Sequence, residues 1–240
     1  MTEFADSSWS QSDNVKAYQD DADHYLPERA LLLNVLVSFY RHFVKQADSA
    51  RVLDLGCGDG IVSAALLHAD PSIYLQAIDG SEDMIAAARE RLPGLRAENL
   101  HVATFRDLIA DTVVVGPFDC VISAFAIHHI DLVEKQLLFR WVFRNLKSSG
   151  VFLNLDVVLP SAPSHEDWYY TLWREWIVRH QKENGISNNF RHIPSEARAR
   201  PENHYDTLKD QLDALRQAGF AEVECHCRFG LFGIYTGMRP

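Results

Sequence analysis

The run Val52-Leu53-Asp54-Leu55-Gly56-Cys57-Gly58-Asp59-Gly60 constrains this chain more than any other feature. A short apolar strand, Arg51–Leu55, ends in glycines at alternate positions, and residues 61–68 then read as a helix. Glycine is required where backbone must touch a ligand with no Cβ in the way. The N-terminus of the following helix presents N–H groups that the helix itself does not satisfy. A dinucleotide fold would place its glycines as G-x-G-x-x-G. Here Ile61 stands where that third glycine belongs. The tighter G-x-G-x-G spacing suits a ligand lying flat over the loop and provides no pyrophosphate cradle.

The segments that follow repeat the strand–helix alternation. Strands are expected at 73–79, 100–105, 118–123 and 150–158. Ser81 can cap a helix running to Leu92, which Pro93-Gly94 ends. Asp131 with Glu134 has the form of a capping box, opening a helix with Val133, Leu137, Leu138 and Trp141 on one side. The 150–158 strand is apolar at nearly every position, as a central parallel strand is. Before the glycine loop, residues 1–26 are polar with scattered aromatics Trp9, Tyr18 and Tyr25. Leu31, Leu32, Val35, Phe39 and Phe43 follow at helical spacing, giving an amphipathic helix to about Ala47. At the far end, 207–218 reads as a helix closed by Gly219, and 221–229 and 231–238 as a hairpin about Gly230. This order implies an α/β fold with a doubly wound sheet and helices on both faces.

Composition narrows the function classes. At 240 residues, 47% hydrophobic and 23% charged, the chain can bury a substantial core. A net charge of −10 weighs against a protein that mainly grips a nucleic-acid backbone. No apolar run has the length of a membrane span, and the acidic start MTEFADSSW lacks the pattern of a signal peptide. Cys57, Cys120, Cys225 and Cys227 are too few for a disulfide framework, so the cytoplasm is the expected compartment.

Asp79, at the end of the second strand, can accept hydrogen bonds from ribose hydroxyls. Met84 can lie against a base, and Asp107 can receive an exocyclic amine. The ordered set VLDLGCGDG, AIDGSEDMIAAARERL, FRDL, FDCVISAFAIHHI and LKSSGVFLNLD resembles the successive motifs of class I S-adenosylmethionine (SAM)-dependent methyltransferases over roughly 50–158. The C-terminal strand pair resembles that family's antiparallel last strands. The resemblance implies a Rossmann-like seven-stranded sheet with an antiparallel last strand, SAM as cofactor and S-adenosylhomocysteine (SAH) as product. It implies that Asp54, Gly56, Gly58 and Gly60 line the methionine and ribose side, and that Asp79 and Gly80 hold the ribose. Met84, Asp107 and Leu108 would frame adenine, and Ser123 and Ala124 would face the methionine portion. Tyr25 joins the expected cofactor set, and Cys57 is expected to be a small packed residue, not a nucleophile.

The chain then divides into an N-terminal helical cap (1–48), a cofactor core (49–159), an aromatic-rich lid insertion (160–205) and a C-terminal helix and strand pair (206–240). His128 and His129 follow the fourth strand, where ligands of doubly wound sheets bind. Either can act as a base, with His129 favoured because it adjoins the capped helix; the alternative is that one of them buttresses the loop. Glu166–Lys182 reads as a helix carrying Trp168, Tyr169, Trp173 and Trp176. Its aromatics either dock it on the core or, as Trp168, Tyr169 and Trp173 with Tyr18, line an acceptor pocket. Cys225-His226-Cys227 alternates across a strand and does not make a zinc site, so no metal is assigned, and a convergence of His24, His165, His192 and His204 in the lid stays open. The expected function is methyl transfer to a small-molecule acceptor by a monomer or homodimer. A SAM-binding regulatory protein without turnover, or a methyltransferase acting on RNA or protein, stays open as an alternative.

Overall fold

A computed structural model of the chain describes Trp9 and residues 11–45, 49–111 and 116–240. The acidic start before Trp9 and the expected helix end at Ala47 lie outside the described residues. The central sheet has seven strands: β1 (Arg51–Leu55), β2 (Tyr74–Asp79), β3 (Leu100–Val102), β4 (Phe118–Ala124), β5 (Leu146–Val157), β6 (Ala221–Phe229) and β7 (Phe232–Met238). Their order is β3-β2-β1-β4-β5-β7-β6. The first five run parallel, and β7 pairs antiparallel with both β5 and β6. The strand order therefore reverses between β1 and β4, opening a crevice at their carboxyl ends.

Helices α1 (Ser12–Tyr25), α2 (Arg29–Phe43), α3 (Ile61–Ala69), α4 (Glu82–Arg91), α5 (Phe105–Ile109), α6 (Leu132–Asn145), α7 (Glu166–Asn184), α8 (Ile193–Ala199) and α9 (Leu208–Ala218) surround the sheet. Two large apolar clusters lie on its opposite faces. One joins Leu32, Leu36 and Tyr40 of α2 to Val52, Ile122 and Leu153 of the sheet and to Trp173 and Ile177 of α7. The other joins Leu138, Trp141 and Val142 of α6 and Leu215 of α9 to Leu53, Val121 and Phe152. Alternate residues of one strand thus feed opposite layers, as the pleat requires.

Local chemistry explains most element ends. The Ser81 hydroxyl accepts from Met84 N and starts α4. Asp131 and Glu134 form the expected capping box of α6. A second capping box, Thr104 with Asp107, stops the third strand at Val102 and starts α5, so the strand expected to reach Phe105 is shorter. The polar segment ahead of Pro27 is helical: Val15 and Ala22 of α1 are buried, and Tyr18 and Tyr25 pack beside that core. Such a narrow apolar stripe leaves little trace in a charged sequence.

Helix α7 turns one stripe of its side chains to the core. Tyr170, Trp173, Trp176 and Ile177 are buried, whereas Trp168 is 57% exposed. The Trp173 indole donates to the Tyr25 carbonyl at 2.6 Å and that of Trp176 to Glu28 Oε1 at 2.9 Å. These bonds tie α7 to the α1–α2 connection. The aromatics of α7 are a docking surface.

Candidate functional site

A cavity of about 710 Å³ opens at the carboxyl ends of β1, β2 and β4. One wall is the glycine loop. Gly56, Gly58 and Gly60 all have positive φ, of 70°, 54° and 79°, where a side chain is strained. A Cβ on Gly56 would collide with Ala126, while at Gly58 the nearest atom is Met84 Sδ at 3.9 Å. The loop is fixed from behind. Gly56 N and Cys57 N donate to the Ile78 carbonyl, and Gly58 N donates to Asp79 Oδ2 at 2.9 Å. Asp79 Oδ1 accepts from Ser81 N. Burial raises the Asp79 pKa, opposed by the Ser81 and Gly58 bonds. Each of its oxygens takes a bond from a backbone N–H and keeps acceptor capacity for a vicinal diol.

Several expected residues do line this cavity: Gly56, Gly58, Asp79, Gly80, Met84, Asp107, Ala124, Tyr18 and His129. Asp107 Oδ2 is committed to Thr104 N and Oγ1, so its first task is capping α5. Cys57 is 5% exposed and burial pushes its thiol well up, consistent with a packed residue.

Others are placed elsewhere. Asp54 is fully buried beneath the loop, where its Oδ2 accepts from Ser63 N and Oγ. Burial raises its carboxyl to about 7 despite those bonds, and Oδ1 has no hydrogen-bond partner. Gly60 is the N-cap of α3. Leu108 is a fully buried core residue, and the buried Ser123 hydroxyl donates to the Leu55 carbonyl, pinning β4 to β1. Tyr25 packs on Phe190. The expected acceptor aromatics of α7 do not reach the cavity. Trp173 is in the core, Tyr169 lies under the Arg228 guanidinium at 5.1 Å, and Trp168 faces outward. The helix turns its apolar stripe to the sheet, so the cavity takes its aromatic wall from Trp9 and Tyr18.

The two histidines differ sharply. His128 is buried and its Nδ1 donates to Asp156 Oδ1 at 2.6 Å, with the Tyr205 ring 5.4 Å away. Asp156 Oδ1 also accepts from Val157 N. His129 faces the cavity, where its Nε2 accepts from the Trp9 indole at 2.9 Å. That bond fixes the neutral tautomer with its proton on Nδ1. Burial, and then the adjacent His128, hold the His129 pKa well below its usual range, against the opposing effect of the Glu202 carbonyl. Sequence reasoning missed Arg29, Phe105, Arg106, Phe125 and Glu202, which line the cavity, and weighed His204, also in its lining, only as a lid histidine. Glu202 and His204 come from the segment before α9. There the buried Lys135 of α6 binds the His204 carbonyl and Asp206. No local pattern marks such a long-range tether. Among the described residues, no group of His, Cys, Asp or Glu could hold a metal ion.

A glycine loop with open space over Gly58, a diol-ready Asp79 and the buried Met84 beside it fit an adenosyl cofactor. The doubly wound sheet with its reversed final hairpin places this crevice where ligands of such sheets bind. Residues 52–150 match the family model described as a methyltransferase domain. An uncharacterized methyltransferase of Staphylococcus carnosus is 28% identical over 176 residues, which are 71% of this chain and 75% of that one. A trans-aconitate 2-methyltransferase of Sinorhizobium fredii is 34% identical over 131 residues, 53% of this chain and 44% of that one. Among solved structures, PigF with SAH superposes with a TM-score of 0.61 at 18% identity, covering 95% of this chain and 60% of that one. The match thus spans less than two thirds of the latter two proteins. Residues 52–150 thus match a methyltransferase domain, and the chain is similar to proteins named as methyltransferases.

Proposed function

We propose that this protein transfers the methyl group of SAM to a small-molecule acceptor held in the same cavity. One observation carries the reading: one crevice joins the glycine loop and Asp79 to the imidazole of His129. Bound there, SAM supplies an electrophilic methyl on a sulfonium centre. Asp79 and Gly80 hold the ribose end, and Met84 with Phe105 borders the base. Trp9, Tyr18 and Phe125 form the wall that excludes water and orients the acceptor. Much of the gain in such a displacement comes from alignment of the reacting groups. His129 is neutral near pH 7, so its Nε2 can accept a proton from an acceptor hydroxyl or amine that takes the place of the Trp9 indole. His128, hydrogen-bonded to Asp156 and 4.0 Å from the His129 ring, positions that ring.

The cavity's volume supports a small molecule over RNA or protein, since it lies within the usual range for such ligands, about 300–1,000 Å³. The relative from Sinorhizobium fredii carries a small acid in its name, which is consistent with that class. Among the described residues no helix is long and apolar enough to cross a membrane. Four cysteines without disulfides suit the cytoplasm. The test is calorimetric titration with SAM and SAH, followed by incubation with methyl-labelled SAM and a panel of hydroxy, amino and carboxylic acids. Tight SAM binding and a labelled product are expected. A protein that rejects both SAM and SAH refutes the proposal.

A further inference from the structure

Helix α6 breaks its own pattern at one position. Leu138, Phe139 and Val142 belong to its buried stripe, and Lys135 stands on the same stripe, one turn ahead. A leucine there would serve the packing. Instead the lysine is fully buried, while Val133 and Leu137 of the same helix are exposed. Taking an ammonium out of water is costly, and replacing a buried ion pair by apolar side chains is often neutral or stabilising. Stability alone therefore does not account for a lysine at this position.

Its contacts point to the cavity. Lys135 Nζ donates to the His204 carbonyl and to Asp206 Oδ2. His204 N in turn donates to the His128 carbonyl at 2.7 Å, and Leu159 N to the Asp206 carbonyl at 2.8 Å. One ammonium thus clamps residues 204–206 against the turn that carries both histidines. The same segment brings Glu202 and His204 into the cavity lining. Several groups surround the His129 imidazole. The Trp9 indole donates to its Nε2. Burial and then His128 oppose its protonation, with lesser contributions from Arg200 and Lys135, and the Glu202 carbonyl favours it. The cofactor side is held by other bonds: Gly56 N and Cys57 N donate to the Ile78 carbonyl, and Gly58 N and Ser81 N to Asp79.

We propose that Lys135 is a positioning residue for the acceptor side of the cavity: it fixes the 202–206 segment against the two histidines and so sets where His129, Glu202 and His204 stand toward an acceptor. This rests on the methyl-transfer reading, in which His129 faces the acceptor. Lys135 acts through the segment it holds and does not itself line the cavity.

The experiment follows the His129 imidazole by NMR pH titration of the full chain, with and without SAH. Its signal is identified by its loss in His129→Ala, and SAH affinity is measured by calorimetry alongside. Lys135→Met removes both the charge and the clamp. SAH should still bind within about twofold of wild type, because the cofactor side is held independently. The His129 titration should move up by about one pH unit, as water reaches the ring and an opposing charge is gone. Lys135→Arg, which keeps charge and donors, should move it less. An unchanged His129 titration in a folded, SAH-binding Lys135→Met protein overturns the proposal and leaves the methyl-transfer reading intact. Should Lys135→Met not fold, Lys135→Met combined with Asp206→Leu also removes the stranded carboxylate, and the same titration is read. If that protein fails to fold as well, Lys135 serves stability and the proposal is overturned. A wild-type protein that rejects SAH removes the methyl-transfer reading and the acceptor role of Lys135 with it.

Discussion

The two walls of the cavity are assembled at very different ranges along the chain. On one side, Gly56, Gly58, Asp79 and Met84 come from consecutive strand–turn–helix units, each positioned by bonds to near neighbours. On the other, Trp9, Tyr18, Arg29, His129, Glu202 and His204 are drawn from the two ends of the chain and its middle. They meet only because α7 staples α1 and α2 to the sheet and Lys135 tethers the segment before α9. A wall of local motifs tolerates change in distant elements. A wall of distant pieces depends on every joint that brings them together.

Four substitutions test that contrast. Trp173→Ala removes a buried indole and its bond to the Tyr25 carbonyl. It should cost about 3–5 kcal/mol of stability in denaturant unfolding. If the walls are independent, residual folded protein should still bind methylthioadenosine. His129→Ala should leave SAH affinity unchanged and lower turnover by about 100-fold. Unaltered turnover on a good acceptor would make His129 structural. Its titration adds a stability test. The folded state keeps this imidazole neutral where the unfolded chain protonates it, so unfolding free energy should fall as pH drops below about 6.5. His129→Ala should lose that part of the pH dependence. Asp79→Ala should weaken SAM by more than tenfold, or about 1.4 kcal/mol, in calorimetry. Trp168→Ala, on the exposed edge of α7, should change stability by no more than about 0.5 kcal/mol and leave SAM affinity as it was.

The same contrast explains which residues could be read in advance. Ser81, Asp131 with Glu134, and Gly219 act within a few residues of themselves, and the structure uses each as a cap. The missed capping box at Thr104 was equally local, but an apolar run into Phe105 masked it. The aromatics of α7 were a different matter. Their helical spacing was plain, yet spacing alone does not say which stripe meets the sheet. The choice of Tyr170, Trp173 and Ile177 over Trp168 rests on how the helix is rolled against α1 and α2. Leu108 and Ser123 lie on the expected elements, but their side chains point into the core and the strand layer.

The sequence by itself determined the class of fold, the glycine loop and the acid at the end of β2. Those follow from hydrophobic period, backbone freedom and capping, which act between residues close in the chain. Tertiary structure alone decided that Trp9 and Tyr18 form the aromatic wall, that Arg29 is buried beside it, and that adjacent histidines part, one to Asp156 and one to the cavity. Those outcomes depend on which surfaces meet once the helices pack, and burial then sets the charge and hydrogen-bonding of each group.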